Sequence, residues 1–340
     1  MIEKHLTSDP TKLLKYRDSI YATDLLVCAV VYLDFFTFLK DRPRTSEDIC
    51  AKLNTIHRPT DVMLSLLLAM ELIKKNGMKY ELTGISRDYL VSDSPANLVP
   101  YYASLKDRPQ CKEFYDVLKS GKPAGWSSMK NGMDWVESMQ DDQFADSFTS
   151  AMDSRGIFLA QKLAENIDLS NKLSFLDIAG GSGVYACSIA NRYKHINATV
   201  LEIVPVDIAT RRSIKSKGMS DRVNVIAGNM FNKIPKGYDV HLFANALHDW
   251  NLESVRKLVE NSFASLLPDG IIVVFDAHLN KEKTGPLSIA EYSCLLMHST
   301  EGRCYSTQEI DKILQEAGFI NIIITEIAAD RTMIIGNKNK

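Results

Sequence analysis

The sequence is short of several things at once. Of its 340 residues, no run in the first fifty is more apolar than about Leu25 to Leu33, far less than the roughly 20 residues a membrane-spanning helix needs. The opening Met-Ile-Glu-Lys-His-Leu-Thr-Ser-Asp has no apolar core behind a basic start, so no signal peptide is expected. Cysteine is sparse: Cys28, Cys50, Cys111, Cys187, Cys294 and Cys304 show no C-x-x-C spacing, which argues against both a disulfide framework and a zinc site. Reduced thiols in a cytoplasmic protein are the simplest expectation. An excess of one charge is missing too. With 40 Lys and Arg against 42 Asp and Glu the net charge is −2, which offers no electrostatic footprint for nucleic acid or an anionic membrane. Neither partner is expected, and no internal repeat or low-complexity segment is present.

What is present is a folding composition, 45% hydrophobic and 24% charged, in a chain long enough to favour two domains over one core. Residues 11 to about 165 carry apolar residues at helical spacing, as in Leu64, Leu67, Leu68 and Leu72. Within them, Thr45-Ser46-Glu47-Asp48 has the chemistry of a helix N-terminus, a second amphipathic helix follows over Pro59 to Leu72, and Met78 to Leu82 reads as a short strand. This is a winged-helix-like pattern, yet its second helix is poor in basic residues, so a packing or dimerisation module is expected instead of a DNA reader.

From Ser174 the texture changes. Short apolar runs, Phe175 to Ala179, Thr199 to Val204, Val223 to Ala227, Val240 to Ala244 and Ile271 to Phe275, are separated by helix-length segments, as in a parallel sheet with crossover helices. Ile320 to Ile327 and Arg331 to Ile335 predict an antiparallel hairpin at the sheet edge. The expected architecture is a helical domain over residues 1–165 and an α/β, Rossmann-like domain over 166–340.

The run Phe175-Leu-Asp177-Ile-Ala-Gly180-Gly181-Ser-Gly183-Val-Tyr-Ala186 is a strand, a glycine-rich turn and a helix start. Taken by itself it fits a dinucleotide fingerprint as well as any other nucleotide cofactor. Glu202 ends the next apolar run, where a carboxylate can accept both ribose hydroxyls. Gly228-Asn229-Met230-Phe231 follows the third run, with an amide and apolar side chains suited to an adenine. Asp177 separates the candidates: a pyrophosphate would be repelled there, whereas S-adenosylmethionine (SAM) carries an ammonium that needs such a partner. The cofactor expected is SAM, held by Asp177, Gly180, Gly181, Gly183, Glu202, Gly228, Asn229, Met230 and Phe231.

With these motifs and His248-Asp249-Trp250-Asn251 after the fourth run, the sequence resembles the plant-type small-molecule O-methyltransferases, including their bacterial natural-product and hydroxyindole relatives. The resemblance spans most of the chain. It implies a mostly parallel seven-stranded SAM-binding sheet with a terminal hairpin, preceded by a helical dimerisation domain, and hence a homodimer. It makes His248 the catalytic base, and a histidine titrates in the range that deprotonating an acceptor requires. By the same likeness Asp276, after the fifth run, orients His248, while a second glutamate common in relatives is replaced by Cys304. Asp249 and Trp250 are expected at the next helix start and in packing. The acceptor pocket is implied between the domains, drawing on Phe144, Phe148, Met152, Met297 and His298, with Trp126, Met129, Met133 and Trp135 as further contributors from a loop.

Other readings stay open on sequence alone. A C-methyltransferase of an α-keto acid would hold a metal between His248 and His298, although metal sites normally show three or more ligands. A non-catalytic winged-helix regulator and an NAD-dependent oxidoreductase complete the set. The acceptor's identity is not legible.

Overall fold

The computed structural model describes residues 8–125 and 138–339. Trp126, Met129, Met133 and Trp135 lie outside the described residues. The chain divides into two compact units, one of Met1–Lys12, Ser128–His278 and Thr307–Lys340, the other of Leu13–Ser127 and Leu279–Ser306.

The second unit is helical, with a small three-stranded antiparallel sheet, β1 (Arg44–Thr45), β2 (Ile73–Asn76) and β3 (Lys79–Leu82), in the order β1-β3-β2. Thr45 caps the helix Ser46–Leu53: its hydroxyl accepts the Asp48 N–H at 3.2 Å and the Asp48 carboxylate accepts the Thr45 N–H at 3.2 Å. The helix Leu287–Ser299 is apolar almost all round and correspondingly buried. Its C-terminal end is held by Arg58, whose guanidinium donates to the carbonyls of Met297 (3.4 Å), Thr300 (3.2 Å) and Gly302 (2.9 Å). A cation there meets the negative end of the helix dipole as well as its unpaired carbonyls.

The other unit is built on a seven-stranded sheet in the order β6-β5-β4-β7-β8-β10-β9. Its strands are β4 (Ser174–Ile178), β5 (Asn197–Glu202), β6 (Val223–Ala227), β7 (Val240–Ala244), β8 (Ile271–Asp276), β9 (Ile320–Glu326) and β10 (Thr332–Asn337). The first five pair in parallel, and β10 pairs antiparallel with both β8 and β9. The predicted strands and terminal hairpin are therefore present. Every residue of β8 is buried, as expected where a parallel sheet is covered on both faces. From β4 the chain runs outward to β5 and β6, then returns to β7 on the other side of β4. The strand ends around β4 and β7 thus form the topological switch point at which open α/β sheets bind ligands.

Candidate active site

Each predicted cofactor residue of this sheet lies at or just past a strand's C-terminal end. Asp177 is buried in β4, and its Oδ2 accepts the Ala186 N–H at 3.3 Å. Its Oδ1 has no hydrogen-bond partner among the described residues. Burial pushes its pKa up to about 7, with the Ala186 N–H opposing and Glu202 adding to the rise. Glu202, at the end of β5, is buried too; its two oxygens accept the N–H groups of Gly181 and Ile203, each at 2.9 Å. Burial raises this carboxyl to about 7 despite those two bonds, and Asp207 adds to the rise.

Between these carboxylates the turn alternates its backbone hand. Ala179 (φ 57°), Gly181 (φ 53°) and Gly183 (φ 72°) all occupy the left-handed region, the arrangement that turns successive N–H groups toward one concavity. A Cβ on Gly180 would come within 2.6 Å of the Asp177 carboxyl carbon, whereas one on Gly181 would meet nothing within 4 Å. One glycine is thus required by packing, and the next keeps a face open. The Thr210 hydroxyl donates to the Gly181 carbonyl at 2.6 Å, anchoring the turn from the helix Val206–Ser216 that follows β5. After β6, Met230 is buried, and the Phe231 N–H donates to Asn229 Oδ1 at 2.8 Å.

The second motif follows β7. Residues Leu247–Asp249 form one 3₁₀ turn that carries the buried His248. Its Nδ1 shares a hydrogen bond with Asp276 Oδ1 at 2.5 Å. Burial acts to raise the Asp276 pKa, but His248, by charge and hydrogen bond, with His278 and Arg331, outweighs it and holds the carboxyl at about 2. An ionised Asp276 keeps the shared proton on Nδ1, so Nε2 is the ring nitrogen that carries none in the neutral imidazole. On that side Asp249 Oδ1 stands 3.6 Å from Nε2. Asp249 is not the cap of the next helix: that is Asn251, whose Oδ1 accepts the Ser254 N–H at 3.0 Å. Asn takes the cap because it lies one residue before the first helical turn, while Asp249 is held back in the 3₁₀ turn. The Trp250 ring meets the Phe231 ring edge to face, centroids 4.7 Å apart.

Three groups around His248 and Asp276 were not singled out from sequence. His278 is buried two residues past Asp276, with no partner on Nδ1 among the described residues. Burial lowers its pKa to about 4 against the pull of Asp276, so it is neutral. Asn245 and Arg331 belong to a polar network taken up below. The only sequence signal for Asn245 is a polar amide directly after an apolar strand.

The predicted acceptor residues are shared between the two units. Phe144 and Phe148 stack on one another (6.3 Å, 20°) against a small core of Met139, Ala145 and Val206, and Met152 is half-buried on the same helix. Met297 and His298 are buried in the helical unit. There His298 Nε2 bonds the Glu113 carboxylate at 2.7 Å, with its ring packed against Tyr21 and Phe114. Cys304 belongs to that unit as well, buried, its N–H donating to Ser293 Oγ at 3.1 Å. Among the described residues no group of three or more histidines, cysteines and carboxylates could hold a metal ion, and no helix is long and apolar enough to cross a membrane.

Known proteins resemble this chain over most of its length. A family model described as "O-methyltransferase domain" matches residues 112–320, more than half of the chain. The sequence is 24% identical over 333 residues to the tetracenomycin polyketide synthesis 8-O-methyl transferase TcmO of Streptomyces glaucescens, covering 97% of each chain. It is 27% identical over 314 residues to the S-adenosyl-L-methionine-dependent methyl transferase PigF of Serratia, covering 90% of each. The crystal structure of an O-methyltransferase family 2 protein from Planctomyces limnophilus, in complex with apigenin, has a TM-score of 0.89 and 26% identity, covering 99% of this chain and 98% of that one.

Proposed function

The chain belongs to the O-methyltransferase domain family, whose members use SAM, and from that premise we propose that it methylates a hydroxyl of a small aromatic molecule with His248 as general base. When bound, SAM would supply a sulfonium methyl group, an electrophilic carbon for in-line attack by an oxygen, with the neutral thioether as leaving group. Asp177, Gly180, Gly181, Gly183, Glu202, Gly228, Asn229, Met230 and Phe231 hold it. The partnerless Oδ1 of buried Asp177 fits a cationic amino group, and the open face of Gly181 fits a closely approaching ligand.

The observation that carries the reading is the His248–Asp276 pair. His248 takes the acceptor's proton at Nε2, and Asp276 fixes the ring and balances the imidazolium that results. Asp249, on the Nε2 side, adds a second carboxylate close to the new charge. Phe144, Phe148 and Met152 meet the acceptor, a stacked aromatic pair and a thioether suiting a flat apolar ring. The polyketide-modifying relative and the neighbour solved with apigenin support such an acceptor.

The protein assembles as a homodimer through its helical part. Leu13 and Tyr16 are exposed three residues apart on the helix Thr11–Asp18, and Ile20 is exposed in the turn just past it, an apolar patch that a second copy would cover.

The deciding experiment follows labelled methyl from SAM into a panel of phenols, hydroxyindoles and α-keto acids, with and without chelator, read by mass. Label on a phenolic oxygen that survives chelation supports the reading. Label only on an α-keto acid, and only without chelator, would overturn it in favour of a metal-assisted C-methyltransferase.

A further inference from the structure

Asn245 is the first residue past β7 and adopts a left-handed backbone (φ 50°). Its N–H donates to the Phe275 carbonyl at 2.9 Å, one residue before Asp276. Its side chain is fully engaged. Oδ1 accepts from Arg331 Nε at 3.1 Å and from Arg155 Nη2 at 3.3 Å, while Nδ2 donates to the Tyr185 hydroxyl at 2.8 Å.

The partners come from four separate elements. Arg155 is on the helix Asp142–Asn166, Tyr185 on the helix that leaves the glycine-rich turn, and Phe275 on β8. Arg331 is buried in the hairpin and immediately precedes Thr332, the antiparallel partner of Asp276. Asn245 therefore ties together the ends of β7, β8 and β10 at the level of the His248–Asp276 hydrogen bond, three residues before His248. The charges run the same way: Arg331 helps keep Asp276 ionised, and Arg155 acts in that sense on Asp249.

We infer that Asn245, held by the Arg331 and Arg155 guanidiniums, is a positioning residue that sets the turn carrying His248 so that its Nδ1 meets Asp276. The inference rests on His248 being the base. Asn is suited to the place on two counts, since it tolerates a left-handed backbone and offers an acceptor and a donor on one short side chain. The glycine-rich turn has its own anchors in Asp177 and Thr210, so cofactor affinity should be nearly independent of this residue.

Two variants separate side chain from backbone. Asn245→Gly keeps the left-handed conformation and removes the hub, whereas Asn245→Asp keeps an oxygen for both guanidiniums. Misplacing a catalytic group by about an ångström can cost on the order of a hundredfold, so Asn245→Gly should lower kcat by about tenfold or more with KM for SAM nearly unchanged. Asn245→Asp should keep most of the wild-type kcat. A second readout needs no acceptor: the downfield imidazole proton of His248 in the proton NMR spectrum, assigned by its loss in His248→Gln, should vanish in Asn245→Gly and persist in Asn245→Asp. Wild-type turnover and an intact proton signal in Asn245→Gly would overturn the inference, as would an equal loss of both in Asn245→Asp. If wild type methylates no acceptor at all, the proposed function fails, and the proton signal still decides this point.

Discussion

Trp250 and Phe231 meet edge to face with ring centroids 4.7 Å apart, which joins the motif bearing the proposed base to the motif proposed to cover the cofactor's adenine. An aromatic pair of this kind contributes about 0.5–1.5 kcal/mol beyond its buried area. Trp250→Ala should therefore weaken SAM binding by roughly three- to tenfold through loss of order at Phe231, and Trp250→Phe should restore most of it. Isothermal titration measures both, and unchanged affinity in the alanine variant would detach Trp250 from the cofactor.

Removing the base should separate chemistry from binding. His248→Ala is expected to lower turnover on the order of a hundredfold or more with SAM affinity nearly intact. Asp276→Asn should fall in the same direction by a smaller factor, because an amide still bonds the ring but carries no charge to balance the imidazolium. Near-normal turnover in His248→Ala would remove it from that role.

The two raised carboxyls give a pH dependence with a defined sign. Asp177 and Glu202 both sit at about 7 in the folded protein, against ordinary values of about 3.9 and 4.3. In the ligand-free protein their contribution to stability is complete below the ordinary values and is lost as pH rises through 7. SAM favours the ionised forms, so its binding should tighten from pH 6 to pH 8 and release protons. Each proton released corresponds to a slope of up to about tenfold in Kd per pH unit. Titrations in buffers of different ionisation enthalpy would read the protons directly; a pH-independent Kd with no release would show that these carboxyls do not meet the ligand.

Neighbouring glycines should fail differently. A methyl group on Gly180 would sit 2.6 Å from the Asp177 carboxyl carbon and 2.9 Å from Val200. Gly180→Ala should thus lower the melting temperature as well as SAM affinity. Gly181→Ala meets open space and carries only the left-handed strain of about 1–2 kcal/mol, so its main effect should be on SAM binding. Thermal melts followed by calorimetry with SAM distinguish the two, and an equal loss of melting temperature in both would contradict the packing argument.

The exposed apolar pair Leu13 and Tyr16 on the helix Thr11–Asp18 makes oligomeric state testable. Wild type should be a dimer by light scattering at micromolar concentration, and Leu13→Glu combined with Tyr16→Glu should yield monomers that keep their helical content. A monomeric wild type would refute the assembly proposed here.

Much of the sheet was legible because each strand is a short apolar run with a helix-length spacer, and strand propensity and burial agree there. The cofactor residues were legible for a related reason: a nucleotide cofactor demands glycines and a carboxylate at fixed places along one stretch of chain. Strand β2 escaped notice because Lys74, Lys75 and Asn76 hide the alternation, with only Ile73 buried. The partners of the helix Leu287–Ser299 could not be read either. Arg58 and Glu113 hold its residues across some 200 positions of sequence, and no local pattern encodes such a pairing. The same holds for Arg331, whose importance comes from strand register and from nothing in Asp330-Arg331-Thr332 itself.

That register also governs the order in which the enzyme can be made. Strand β10 is inserted between β8 and β9, so a ribosome has translated the glycine-rich turn, His248 and Asp276 long before it reaches the strand that borders them. A nascent chain stalled short of Arg331 has every residue proposed to bind SAM but lacks the guanidinium proposed to steady the base. The residues proposed to bind the methyl donor are thus complete in the nascent chain before the network proposed to steady its base.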